Sequence, residues 1–315
     1  MAKGKKASLK TALSSQQARL KKKQEIKHAE QVAEQKGKKT KGKERATPLR
    51  STIPFRPTDK ILLVGEGNFS FAHALALSPP STLEHLPPQN VYATAYDSKD
   101  ECFFKYPDAK KNVRALREKG VHVLFGVDAR ALHKTTALKG KTFDRIAWNF
   151  PHAGKGIADQ NRNILSNQVL ILGFLRSAAG HLETGAVPDI APSRRKKRKA
   201  EDDEDEDEGK SDVEDISSET TATRGTILIT LRNVVPYTQW DVPRLAKNPP
   251  PPQSAHESPN PHFTLLRSFV FRRSDWKGYE HRMTKGERAH GQGKTGEGGE
   301  DRTWEFYLKD IKETE

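Results

Sequence analysis

The sequence predicts an α/β protein whose sheet is mostly parallel and twisted, with helices on both faces. Three observations predict it. Short apolar runs alternate with stretches whose apolar residues recur at helical spacing. The first run ends in a glycine-rich turn that opens a helix, G-E-G-N-F-S at residues 65–70. The next three end at Asp97, Asp128 and Asn149. Ligands of open parallel sheets sit outside the carboxyl ends of the strands, so these are the positions where a bound group is expected.

The elements follow in order. Residues 61–64 (ILLV) are a continuous apolar run of the kind buried parallel strands use, and 69–77 (FSFAHALAL) are helical until Pro79-Pro80. Residues 91–96 (VYATAY) read as the second strand, and 100–119 as a helical region interrupted near Pro107. Residues 121–125 and 144–150 read as the third and fourth strands, and 164–182 as an amphipathic helix. A fifth strand is expected at 226–231 (TILITL), and a final pair at 263–271 and 303–308. No internal repeat is evident.

Composition divides the 315 residues into a body and charged appendages. Hydrophobic residues are 34% and charged residues 30%, with a mean hydropathy of −0.82. Some segments therefore lack the apolar surface to offset chain entropy. The net charge is +14, yet residues 1–50 hold sixteen Lys/Arg against four Glu, a net of +12. A basic tail on a near-neutral body suits a polyanion such as nucleic acid; a solubilising or import tail is the plainer alternative. Residues 1–55 are thus expected to be a disordered basic tail and 56–315 the folded domain. A charged insertion is expected at about 186–224, where RRKKRK (194–199) precedes eight consecutive acidic residues (201–208), and a Pro-rich linker at 248–261.

The same arithmetic excludes several classes. No run approaches the roughly 18 apolar residues of a spanning helix, and the N-terminus has no apolar core of a secretory signal. One cysteine, Cys102, rules out a disulfide framework and any zinc site with two cysteine ligands. It reads as a small buried residue, and a reducing compartment is expected. His73, His85 and His133 read as ordinary histidines, and no cluster has metal-ligand spacing, so no metal is expected.

The candidate site is built from the strand ends. Small residues at Gly65 and Gly67 admit a cofactor to the backbone, and the helix amides beyond them face a polar group. Asp97 suits ribose hydroxyls, or caps the next helix. Asp128 is either a cofactor contact or a cap. Together they point to a nucleoside-bearing cofactor. A dinucleotide fingerprint wants Gly or Ala where Ser70 stands and an acidic residue about 20 positions on, whereas Asp97 lies 27 beyond Ser70. S-adenosylmethionine, which has no pyrophosphate, fits better. Asn149-Phe150-Pro151-His152 partly resembles the Asn-Pro-Pro-aromatic signature of methyltransferases that act on base nitrogens.

The segments ILLVGEGNFSFAHALAL, ATAYDS, NVRALREKGVHVLFGVDARAL, FDRIAWNFPHAG and GYEHR together resemble the eukaryotic ribosomal RNA uridine-N3-methyltransferase family, over about 60–182 and 226–308. The resemblance implies a Rossmann-like class I S-adenosylmethionine-dependent methyltransferase fold and a uridine of large-subunit (25S/28S) rRNA, naked or in a pre-ribosomal particle, as acceptor. It implies a nuclear, nucleolar protein, and nothing in the sequence demands more than a monomer. By that similarity Gly65, Glu66, Gly67, Asn68, Phe69 and Ser70 line the methionine and ribose end, Asp97 binds the ribose, and Asp128 sits near adenine. Asn149, Phe150, Pro151 and His152 face the target base. His152 is then the nearest candidate general base; donating to a uracil carbonyl is its alternative. Phe150 stacks on uracil or belongs to the core. Tyr279, His281 and Arg282 close over substrate or form a solvated loop, and Arg162 with Asn163 are further candidates for RNA contact. Two other classes compete: an RNA-binding ribosome-assembly factor that retains the fold without the reaction, and a nicotinamide oxidoreductase.

Overall fold

The computed structural model describes residues 52–188, 223–251, 259–284 and 299–310. Residues 1–51 of the expected basic tail, most of the charged insertion and the middle of the Pro-rich stretch lie outside the described residues. The last residues of the expected tail belong to the folded body, with Phe55 buried in the core and the Pro54 carbonyl accepting from Arg145. The apolar runs form the strands β1 (Ile61–Val64), β2 (Val91–Thr94), β3 (His122–Leu124), β4 (Arg145–Asn149), β5 (Thr226–Arg232), β6 (Phe263–Val270) and β7 (Asp301–Leu308). Helices α1 (Ser70–Leu77), α2 (Lys99–Lys105), α3 (Ala109–Glu118), α4 (Gln160–Ala179) and α5 (Val242–Lys247) connect them.

One sheet results, in the order β3-β2-β1-β4-β5-β7-β6. The first five strands are parallel, and β7 runs antiparallel between β5 and β6. Chain order reverses at β1, whose neighbours are β2 on one side and β4 on the other. That crevice is where a doubly wound sheet binds its ligand.

Alternation along the strands sorts the core into two layers. Ile61 and Leu63 of β1 join Val91, Ala93 and Ala147 under α1 and α3. Leu62 and Val64 face the other way, with Ile146, Trp148, Ile227 and Ile229, under α4 and α5. Both faces are therefore covered, as the continuous apolar runs require.

The predicted helical region at 100–119 is two helices. Ser98 caps α2 through a capping box with Glu101, and the break at Pro107 separates α2 from α3. The helix expected at 164–182 begins earlier, with Asp159 accepting from the Arg162 amide. Its first turn is polar, so periodicity alone places the start too late. Around the charged insertion, Ala186 and Thr223 form an isolated bridge, with the Arg224 amide donating to the Ala186 carbonyl at 2.7 Å. The described flanks of the insertion thus meet just before β5, at the end of the sheet opposite the strand carboxyl ends.

Candidate active site

The glycine turn is shaped by its neighbours. Gly65 has φ +67°, and a Cβ there would stand 2.5 Å from Trp148 Nε1, so only glycine fits beside that indole. Glu66 folds back over the first turn of α1, its carboxylate accepting from the Ala72 amide at 3.3 Å. Burial still pushes its pKa up, to about 7, against those backbone hydrogen bonds. Asn68 is buried. Its Oδ1 accepts from the Ser70 amide at 3.1 Å, and its Nδ2 donates to Asp108 Oδ2 at 2.7 Å. The Cys102 thiol donates to the Gly67 carbonyl at 3.3 Å, and burial raises its pKa to about 12, as suits a small inert core residue.

A cleft of about 610 Å³ opens above this turn. Gly65, Glu66, Gly67, Asn68 and Ser70 line it, with Tyr96 and Asp97 after β2, Asp128 and Arg130 after β3, and Asn149, Phe150 and His152 after β4. Phe69 is the exception among the turn residues. It has φ 60° and turns its ring into the core against Phe125, at 5.4 Å between ring centres. Asp97 does not cap the next helix, because Ser98 does. Its Oδ1 instead accepts from Lys105 Nζ at 2.6 Å. Asp128 is a cap, accepting from the Arg130 amide, and both of its oxygens are gripped by the Arg130 guanidinium. That grip holds its carboxyl below the usual aspartate range.

A second chamber of about 340 Å³ adjoins the first. Phe150, His152, Gly154, His281, Arg282 and Thr284 line both. Pro151, Asn163, Leu231, Arg232 and Tyr237 line the second alone. Phe150 has φ 54°, and its ring lies 4.9 Å from the Arg273 guanidinium and 4.4 Å from His281. One face of Phe150 is therefore engaged by the protein, and the ring belongs to the wall. His152 stands at the rim with Trp240 5.8 Å away, and the crowding lowers its pKa. The Gly154 amide donates to its Nδ1 at 2.9 Å.

The segment after β6 is docked onto the glycine turn. Ser70 Oγ donates to the Glu280 carbonyl at 2.9 Å and accepts from the Glu280 amide at 3.0 Å. Tyr106 donates to the Met283 carbonyl, and Arg282 pairs with Asp108 and Glu280. Tyr279 packs on Phe71 and Phe271, and desolvation raises its pKa, with the nearby Glu66 charge acting the same way. His281 is held to about 4 by burial and by Arg273 and Arg232. The solvated-loop reading of this segment is therefore corrected: it forms a wall shared by both chambers. Arg162 is exposed on the first turn of α4 and lines neither chamber.

Sequence reasoning missed Trp148, Tyr106, Arg130 and Ser166 in the cleft and Arg232 and Tyr237 in the second chamber. Trp148 is an apolar residue within a strand and carries no local mark of a site. Among the described residues no group of three or more His, Cys, Asp or Glu can hold a metal ion. No helix among them is long and apolar enough to cross a membrane.

A glycine turn at the sheet's reversal point, with a second chamber against the end of β4, defines a Rossmann-like methyltransferase fold. A family model described as rRNA (uridine-N3-)-methyltransferase BTM5-like matches residues 62–283, and the chain belongs to that family. The 25S rRNA (uridine(2634)-N(3))-methyltransferase of Saccharomyces cerevisiae is 27% identical over 255 residues, which are 75% of this chain and 69% of that protein. An uncharacterised Arabidopsis thaliana protein is 40% identical over 132 residues, 41% of this chain and 60% of its own length. The heavy metal-associated isoprenylated plant protein 41, also of Arabidopsis thaliana, is 27% identical over 73% of this chain. The chain spans 60% and 34% of the lengths of these two Arabidopsis relatives. A solved 16S rRNA (adenine(1408)-N(1))-methyltransferase from Catenulisporales acidiphilia has a TM-score of 0.33 at 12% identity, covering 82% of this chain and 96% of that one, a likeness too slight to argue from.

Proposed function

We propose that this protein is an S-adenosylmethionine-dependent methyltransferase that modifies N3 of a uridine in large-subunit rRNA. The observation that carries the reading is the pair of joined chambers, with the glycine turn in one and the Asn149–His152 wall between them. Family membership and the yeast relative, named for this reaction, support it.

The cleft fits the cofactor. Its size suits a nucleoside-bearing ligand. A side chain at Gly65 would fill the cradle beside Trp148, and Ser166 Oγ in the same cleft is buried with no hydrogen-bond partner among the described residues. Gly65, Glu66, Gly67, Asn68 and Ser70 would hold the methionine and ribose end. The free oxygen of Asp97 would take the ribose hydroxyls, and Asp128 with Arg130 would border the adenine. When bound, S-adenosylmethionine would supply an electrophilic methyl group for transfer to N3. The protein's task is alignment, since holding donor and acceptor in line removes most of the entropic barrier. Uridine N3 is paired in a duplex, so the base must leave the stack and enter the second chamber between Phe150, His281 and Tyr237.

The basic residues 1–50 would hold the RNA phosphates. The charged insertion, whose flanks meet at the opposite end of the sheet, is assigned no part in the chemistry. A nucleolar site of action on rRNA or a pre-ribosomal particle follows from the substrate.

Calorimetry with S-adenosylmethionine tests the reading. Wild-type protein should bind and a Gly67→Trp variant should not, because a side chain at position 67 projects toward Tyr106 and Arg282. Equal binding by both would move the cofactor away from the glycine turn, and no binding by the wild type would make the protein an assembly factor that keeps the fold without the reaction.

A further inference from the structure

The hydrogen bond at His152 fixes what its ring can do. A neutral imidazole has one acceptor nitrogen and one N–H. The Gly154 amide donates to Nδ1 at 2.9 Å, so Nδ1 is the acceptor and the proton resides on Nε2. The loop is held in this arrangement from both ends. The Ala153 amide donates to Asn167 Oδ1 at 2.8 Å, and Asn167 is buried in α4 with its Nδ2 on Asn163. Gly154 has φ +64°, and a Cβ there would meet Thr284 Cγ2 at 3.0 Å, so the turn that aims its amide back at the ring requires glycine. Nε2, on the other side of the ring, is the nitrogen left to the chambers that His152 lines.

We propose that His152 donates from Nε2 to the C4 carbonyl oxygen of the target uracil, and does not take the N3 proton. The assignment rests on the uridine-N3 reading above and names the specificity device within it. As N3 loses its proton to water at the open mouth of the cleft, negative charge spreads onto the flanking oxygens. A fixed N–H aimed at one of them strengthens as that charge grows, which is the logic of an oxyanion hole. The same donor selects the base. Cytosine presents an amino group where uracil has its second carbonyl, so donor would meet donor and a buried polar group would go unpaired. The charged and titratable groups of the second chamber are Arg232, Tyr237, His281 and Arg282, and no carboxylate lines it. The cleft that His152 also borders carries Lys155 and the carboxylates Glu66, Asp97, Asp128 and Glu280, of which Asp97, Asp128 and Glu280 are paired with Lys105, Arg130 and Arg282. Desolvation lowers the pKa of the ring from the usual imidazole value.

Two measurements on the full chain test this. In nitrogen-15 spectra of histidine-labelled protein, His152, assigned by its loss in His152→Gln, should appear as the Nε2–H tautomer. Methylation of a uridine-bearing rRNA fragment should fall about 100-fold in kcat for His152→Ala. His152→Gln, whose amide keeps a donor near the same place, should stay within about tenfold of wild type. Cytidine at the target position should be rejected less strongly by His152→Ala than by wild type. The wild-type rate should rise with pH without a limb belonging to an imidazole. An Nδ1–H tautomer, or equal inactivity of the Gln and Ala variants, would overturn the donor role. Wild-type protein that binds the cofactor and methylates no uridine would instead overturn the reading beneath it, and the proposal with it.

Discussion

Gly65 is the residue on which the cleft depends most directly. Its positive φ and the indole 2.5 Å from where a Cβ would lie make alanine costly in two ways, through backbone strain and through the clash. Gly65→Ala should lower stability by about 1–3 kcal/mol, read by urea unfolding. It should also weaken S-adenosylmethionine binding by about tenfold, roughly 1.4 kcal/mol, read by calorimetry. Unchanged affinity would mean that the cradle is not where the cofactor sits. Glu66 offers a test by pH. Its folded pKa of about 7 lies above the ordinary value of 4.5, so the native state holds the proton more tightly than the unfolded chain. Stability therefore falls as pH rises through that window. Glu66→Gln should be more stable than wild type at pH 8, and the difference should close below about pH 5. A gap constant from pH 4 to 8 would exclude the titration of Glu66 as its cause. The turn was legible at this scale because its glycines and polar residues stand in one short motif. Trp148 was not, because a tryptophan inside an apolar strand looks the same whether it packs in a core or borders a ligand.

At the scale of elements, the wall formed by residues 279–284 is held by hydrogen bonds that span most of the chain. Ser70 reaches Glu280 across 210 positions, and Tyr106 reaches Met283 across 177. Ser70→Ala and Tyr106→Phe should each cost about 1 kcal/mol and hasten amide exchange at 279–284 while leaving β1 and β4 protected. Unchanged exchange in both would mean that the segment is held by Tyr279 and the aromatic cluster alone. No local pattern predicts such a contact, which is why a solvated loop was a fair reading of GYEHR. The strands were legible for the opposite reason. Buried on both faces, β1 reads as an unbroken apolar run and β4 and β5 as mostly apolar ones; β1 has the expected bounds, and the ends of the other two shifted by one residue. Helix α5 escaped notice because six residues with a proline in the first turn carry no period. Ser70 explains how the motif departs from a dinucleotide turn: where such turns want a small residue for close packing, this chain has a hydroxyl that fastens the docked segment.

Across the whole molecule, the end opposite the cleft is tied together by buried charge. Arg145 on β4 lies 3.4 Å from Asp59 and 3.8 Å from Glu305 on β7, and all three are nearly inaccessible. Glu305 also accepts from Arg267 on β6 at 2.6 Å and from Thr226 on β5 at 2.8 Å. The network joins the parallel half of the sheet to the β6–β7 hairpin that carries the docked segment. Removing one partner leaves uncompensated buried charge, so Arg145→Met should cost about 3–5 kcal/mol. An effect below about 1 kcal/mol would show that the carboxylates simply take up protons. The charge asymmetry between tail and body was legible from composition alone. Deleting residues 1–50, with their net of +12, should weaken rRNA binding and flatten its salt dependence. An unchanged slope would remove the tail from the RNA interface.

On the proposed function, the paired chambers methylate N3 of a uridine in large-subunit rRNA. Its most direct test is the quantity of 3-methyluridine in that rRNA, measured by mass spectrometry of digested nucleosides from cells with and without the gene. One such nucleoside should be lost without the gene and return with the wild-type protein but not with an Asp97→Ala variant. A nucleoside profile identical with and without the gene would contradict it.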